Sequence, residues 1–289
     1  MSPHHSAPLL LSACLLLAGC STSSSGPTRG DAALPVGGSA AGHGPVTSGE
    51  ASAGMSSGGS AGTGGGAFVP VTIDFRSWEL QLPIGTGTSP KTVSPTELLA
   101  GFSNEYFYLA ADGGQAFMDP ATGVTTSGSQ HCRTEMREQA PGAGKAAWPS
   151  SGTHSMTVEG KVVKLGSGSV AVGQLYNATD SIPLCELEYT TGQRFSLLYE
   201  EAKGAGSTTD LKTPVALDAR YTFALSMTDG KLSVSINGQE VYTHTPSAGI
   251  LANQFYFKVG NYDQSSTAGT PSTTPYSIVE VYKVDVVHR

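Results

Sequence analysis

The sequence predicts an all-β domain, a sandwich of the jelly-roll kind, from three observations. From Phe68 onward, short runs of alternating apolar and polar residues recur; Gly, Pro, Asn and Asp punctuate them closely; and no long stretch of helical period lies between them. About a dozen such strands fill two packed sheets. In chain order, Ser94-Pro95 comes first, a cap followed by proline at a first helical position, and it opens one short helix. Residues 155–159 and 161–165 read as a hairpin about Gly160, and 170–176 as the next strand. Residues 184–189 and 194–200 pair around Thr191-Gly192. Residues 221–227 and 231–236 pair across Asp229-Gly230, a strong hairpin signal, and Asn237-Gly238 turns the chain into 240–244. Strands over 255–262 and 276–287 close the domain.

The first fifth of the chain is of another kind. Residues 9–19 form an apolar run of signal-peptide length, too short to span a bilayer as a helix, and Leu17-Ala18-Gly19-Cys20 resembles a bacterial lipobox. This organisation is expected: residues 1–19 a signal peptide, 20–67 a lipidated Cys20 with a Ser/Gly-rich linker, and 68–289 the folded domain. The linker has almost no large apolar residue and cannot offset the entropy of folding. An exported bacterial lipoprotein follows, at the outer membrane or cell surface, touching the membrane only through its lipid; an ordinary cleaved signal peptide and a secreted product is the alternative.

The net charge of −7 excludes the basic character of a nucleic-acid binder, so an anionic ligand needs a local basic cluster. Cysteine and histidine lack metal-site spacing, and a monomer without metal or cofactor is expected. Two of the four cysteines lie in the export segment; Cys132 and Cys185 are left, and export makes a disulfide between them the expectation.

The densest chemistry lies in residues 131–137. Read as a strand, this heptad places His131, Arg133, Glu135 and Arg137 on one face and Cys132, Thr134 and Met136 on the other. The first face is poor core material and suits an anion. By the same alternation Gln174 and Tyr176 share a face, as do Tyr256, Lys258, Gly260 and Tyr262, whose reverse carries Phe255, Phe257 and Val259. Glu186 and Glu188 share a face of another strand and resemble a glycosidase pair, but hydrolysis has no need of the surrounding Arg, Lys and Gln.

Residues 133–138, Arg-Thr-Glu-Met-Arg-Glu, resemble the R(S/T)ELRE motif of family 7 polysaccharide lyases, the alginate lyases; residues 256–264 resemble their YFKAGNYNQ motif, and Gly173-Gln174-Leu175-Tyr176 stands where that family has GQIH. The likeness runs in order from about residue 70 to the end. It implies metal-independent β-elimination on a polyuronate, in a groove across one sheet, giving unsaturated oligouronates. Abstracting a uronate C5 proton beside a charged carboxylate requires that carboxylate to be neutralised. Arg133 and Gln174 take that role, Tyr262 is the proton-transfer residue, Lys258 pushes its phenol toward phenolate or holds a substrate carboxylate, and Arg137, Glu135, Lys258, Tyr176 and Tyr256 line the groove.

The departure is Tyr176 in place of the family's histidine. Either His131 supplies the imidazole, or Tyr262 makes both proton transfers. The second route needs C5–H and C4–O on one side of the sugar, as in β-mannuronate or β-glucuronate, so mannuronate-rich alginate is the expected substrate. A lyase for another polyuronate such as glucuronan, or a non-catalytic polyuronate-binding lectin, is the alternative.

Overall fold

A computed structural model describes residues 71–289 apart from 141 and 143; the expected signal peptide, Cys20 and linker lie outside the described residues. Fifteen strands of three or more residues follow in order. They are β1 (Trp78–Thr86), β2 (Ser89–Val93), β3 (Phe107–Leu109), β4 (Gln115–Pro120), β5 (Thr134–Glu138), β6 (Thr153–Lys164), β7 (Ser169–Asn177) and β8 (Ile182–Thr190). Then come β9 (Arg194–Tyr199), β10 (Ser207–Pro214), β11 (Arg220–Thr228), β12 (Lys231–Ile236), β13 (Gln239–His244), β14 (Gln254–Asp263) and β15 (Pro275–His288), with helices α1 (Pro95–Leu99) and α2 (Ala248–Leu251). One sheet has the order β10-β9-β8-β7-β14-β5-β1-β2, the other β13-β12-β11-β6-β15-β4-β3. The all-β jelly-roll sandwich expected from the sequence is the fold observed.

Period-two alternation builds both layers. On β14, Phe255, Phe257 and Val259 enter the core with Leu175 and Leu187 of the same sheet, and Phe117, Met156 and Phe223 meet them from the other. Each such side chain stabilises by about 1.5–3 kcal/mol on burial. The hairpin turns match their sequences: Asp229 and Gly230 have φ of 46° and 79°, Asn237 and Gly238 50° and 78°, the doubly left-handed geometry of a two-residue turn. At α1 the Ser94 hydroxyl accepts from the Glu97 amide at 3.3 Å, and the Glu97 carboxylate accepts from the Ser94 amide at 2.8 Å.

Three local expectations are corrected. The hairpin at Gly160 does not exist, since β6 runs through it from Thr153 to Lys164. A Cβ there would lie 3.2 Å from both the Glu280 carbonyl oxygen and the Tyr221 hydroxyl, so the glycine serves close approach of neighbouring strands. The heptad 131–137 is not one strand, because β5 begins only at Thr134.

The third correction concerns the cysteines. Cys132 and Cys185 are both buried free thiols. Cys185 lies on β8 and Cys132 just ahead of β5, with β7 and β14 between them. Three strand spacings come to about 14 Å, against the ~7 Å between Cα atoms that a disulfide tolerates. The Cys132 Sγ instead points at the Pro120 carbonyl oxygen, 3.6 Å away. Burial pushes both thiols up to about 12, which keeps them protonated and inert. Alkylation of the unfolded, unreduced protein followed by peptide mapping is expected to modify both cysteines; a linked peptide pair would contradict this arrangement.

Candidate active site

The outer face of the first sheet is a groove enclosing about 590 Å³. Register sets its layout. Gln174 on β7 stands opposite Lys258 on β14 and Glu186 on β8, and Lys258 in turn stands opposite Arg137 on β5. Gly260 faces Glu135, with φ of 146°, a conformation suited to glycine; a Cβ there would lie 2.7 Å from the Thr134 carbonyl oxygen. This residue lets β14 close on β5 midway between Lys258 and Tyr262.

Glu135, 3 % exposed, is the organising charge. Its carboxylate accepts from Arg133 Nη1 at 3.3 Å and from Gln174 Nε2 at 2.5 Å, and lies 3.5 Å from Lys258 Nζ. A buried carboxylate without such donors would carry a prohibitive desolvation cost. Arg133 also donates to Ser129 Oγ at 3.0 Å, and its guanidinium lies 3.7 Å over the Tyr262 ring. The Tyr262 hydroxyl is 2.9 Å from the same Ser129 Oγ. Further along, Arg137 lies 3.8 Å over Tyr256, and Lys258 Nζ 4.1 Å over Tyr176. The Arg137 Nη1 and the Gln174 Oε1 are buried with no partner among the described residues.

The structure brings Arg133, Glu135, Arg137, Gln174, Tyr176, Tyr256, Lys258 and Tyr262 together as groove walls, and it leaves His131 out. His131 precedes β5, so strand alternation does not govern it. Its Nδ1 sits 2.6 Å from the Ser266 carbonyl oxygen, and its ring packs edge-on against Tyr262 with centroids 6.1 Å apart. The expected action of Lys258 on Tyr262 also fails, because the cation on that ring is Arg133. Burial raises the Tyr262 phenol above its usual value, outweighing Arg133 and the Ser129 hydroxyl, so the residue rests as a proton donor. Tyr176 is raised too, chiefly by burial, and its hydroxyl donates to the Ser181 carbonyl at 2.7 Å. Burial lowers Lys258, partly opposed by Glu135.

Ser129 and Glu186 are among the groove residues that escaped the sequence reading. Ser129 lies in a loop and has no periodic signal. Glu186 was visible only as half of a carboxylate pair, and the structure separates the two: Glu188 accepts from Ser169 Oγ at 2.7 Å, while Glu186 lines the groove, 5 % exposed. Burial, with Glu135 and Glu188 adding to it, raises Glu186 above the usual carboxylate range.

A profile of the alginate lyase family matches residues 73–288. The chain belongs to the alginate lyase family. It is accordingly a polysaccharide lyase, and its structure agrees. The alginate lyase A1-II′, a member of polysaccharide lyase family 7, is 31% identical with a TM-score of 0.66 over 75% of this chain and 96% of that one. A tyrosine-to-phenylalanine variant of the same enzyme in complex with a product (GGG) is 30% identical with a TM-score of 0.67, covering 75% and 97%. An alginate lyase from Pseudomonas aeruginosa, 23% identical with a TM-score of 0.68 over 75% and 100%, shares the fold. No curated protein sequence matches the chain.

Proposed function

We propose that this groove binds alginate and cleaves it by metal-independent β-elimination, leaving an unsaturated uronate at the new chain end. The observation that carries the reading is the convergence of Arg133, Gln174 and Lys258 on the single carboxylate of Glu135, beside a Tyr262 phenol held under the Arg133 guanidinium. Five cations, Arg133, Arg137, Lys145, Lys203 and Lys258, line the groove against four carboxylates, Glu79, Glu135, Glu186 and Glu200, of which burial raises Glu186 to about 7, so the balance favours a polyanion. Arg133 and the second N–H of the Gln174 amide neutralise the substrate carboxylate and lower the barrier to forming a carbanion-like centre at C5. Tyr262 protonates the leaving oxygen. Glu135 orients the donors, Arg137 and Lys258 hold flanking carboxylates, and Tyr176 and Tyr256, their rings tilted by 36° with centroids 5.0 Å apart, offer an aromatic surface to a sugar.

Mannuronate-rich alginate is the proposed main substrate. There C5–H and C4–O lie on one side of the ring, and Tyr262 as phenolate can take the first proton before giving it to the leaving oxygen. Because the phenol is raised, this route gains rate as pH rises into the alkaline range. Export through residues 1–19 and a lipid on Cys20 would hold the reaction outside the cytoplasm. The test is mixing with alginate: growth of ultraviolet absorbance from the new conjugated double bond is expected. Binding without absorbance would identify a lectin, and absorbance with glucuronan alone would reassign the substrate.

A further inference from the structure

Elimination from a sugar whose C5–H and C4–O point to opposite faces needs a proton acceptor separate from Tyr262, and most candidates are committed. Tyr176 gives its hydrogen to Ser181, His131 is anchored on Ser266 outside the groove walls, and Glu135 is filled by Arg133, Gln174 and Lys258. Glu186 is not. It faces Gln174 across the β7–β8 pair, its carboxylate lines the groove, and no hydrogen bond from a described residue reaches it. The other buried glutamates of this sheet are supplied with donors, as Glu138 is by Trp148 and by the Phe257 amide. The Glu186 oxygens, without an internal donor yet not among the sealed unpartnered atoms of the sheet, stay open to whatever enters the groove.

We propose, on the reading of this groove as an alginate lyase site, that Glu186 accepts the C5 proton of α-guluronate while Tyr262 protonates the leaving oxygen, so that the enzyme cleaves guluronate as well as mannuronate linkages. In the sheet, β7 lies between β8, which carries Glu186, and β14, which carries Tyr262. Glu186 stands opposite Gln174, the holder of the substrate carboxylate, and Tyr262 stands opposite Ala171 further along β7, so acceptor and donor approach a bound uronate from different strands. The C5–H bond breaks and its proton passes to the Glu186 carboxylate. Its electron pair becomes the C4=C5 double bond, and the C4–O bond breaks with its pair on oxygen, which takes the Tyr262 phenol proton. Water then carries the proton from Glu186 back to the phenolate, and no co-reactant is consumed.

The charges around Glu186 suit a base working near neutrality. Burial, Glu135 and Glu188 raise it, while Lys258 and Arg133 act against them; Glu200 and Lys203 line the same groove. Tyr176 and Gln174 beside it are uncharged.

The experiment compares wild type with Glu186→Gln on guluronate-only and mannuronate-only blocks, following absorbance on both sides of neutral pH. The variant is expected to lose about 10²-fold or more in kcat on guluronate blocks with little change in KM, lowering the guluronate-to-mannuronate ratio at least about thirtyfold. Wild-type kcat on guluronate blocks should rise through neutrality and level off, unlike the alkaline rise on mannuronate. Equal loss on both blocks, an unchanged guluronate rate, or a wild type that cuts mannuronate alone overturns the assignment and leaves the lyase reading standing. A wild type that cuts no polyuronate overturns both. Should Glu186→Gln fail to fold, the wild-type profile decides: no rise through neutrality on guluronate blocks rejects Glu186 as the acceptor.

Discussion

Replacing Tyr262 by phenylalanine is expected to lower kcat on alginate about a thousandfold while changing KM by less than about threefold. The asymmetry follows from the packing. The ring is held by the Arg133 guanidinium 3.7 Å above it and by the strand alternation that seats Phe257 and Val259 in the core on the reverse side, and none of this involves the hydroxyl. Ser129, which loses the phenol as a partner, keeps Arg133 Nη2 at 3.0 Å and the His131 carbonyl at 2.8 Å, so the site's frame stays closed. What disappears is the only proton that the proposed chemistry delivers to the leaving oxygen, for either uronate. Initial rates by absorbance, with oligouronate binding measured by calorimetry, separate the two quantities. Retention of more than about a tenth of wild-type kcat would remove Tyr262 from the proton path.

Why Tyr262 was legible in the sequence, and Glu186 was not, is a matter of range. Alternation is a local property: once residues 255–262 are taken as a strand, Phe255, Phe257 and Val259 define the buried side, and Tyr256, Lys258 and Tyr262 must face out. The same rule placed Glu135 and Arg137 correctly. It failed at His131, because alternation carries information only inside a strand and β5 starts at Thr134. Register across the sheet is not local. That β14, far along the chain, inserts between β7 and β5 is what separates Cys132 from Cys185 and sets Lys258 between Gln174 and Arg137. It is also β8 register that directs Glu186 to Gln174. Glycine misled at Gly160 for a related reason, since a residue demanded by the approach of Tyr221 and Glu280 looks, in one dimension, like a turn.

Beneath the groove, Glu138→Ala is expected to destabilise the domain by about 3–5 kcal/mol, the cost of stranding buried donors. Glu138 is the last residue of β5 and is 3 % exposed. One carboxylate oxygen accepts from the Trp148 indole at 3.0 Å and the Phe257 amide at 2.8 Å; the other lies 2.6 Å from His288 Nε2. The chain continues through His288 Nδ1 to His154 Nδ1 at 2.8 Å and from His154 Nε2 to the Ser151 carbonyl at 2.9 Å. Valence fixes most of its protons. The carbonyl can only accept, so His154 carries hydrogen on Nε2. Burial lowers His154 and favours its neutral form, which makes its Nδ1 an acceptor and the His288 Nδ1 a donor. One proton then lies between His288 and Glu138, and deleting the carboxylate breaks the whole relay. Because the relay joins β5 to β14, β15 and β6, its loss loosens the two strands that carry Glu135 and Tyr262. A fall in Tm of about 6–20 °C is expected for a domain of this size, read by circular dichroism. Glu138→Gln, which keeps an acceptor for Trp148 and Phe257, should lose less. The pH dependence has a definite sign. Unfolded histidine titrates near ~6.5 and folded His154 below that, so between the two values the unfolded chain binds more protons and stability rises with pH. His154's contribution is complete above about pH 6.5 and disappears as pH falls through its folded value. A Glu138→Ala protein within about 1 kcal/mol of wild type would show that the relay is incidental to the sandwich.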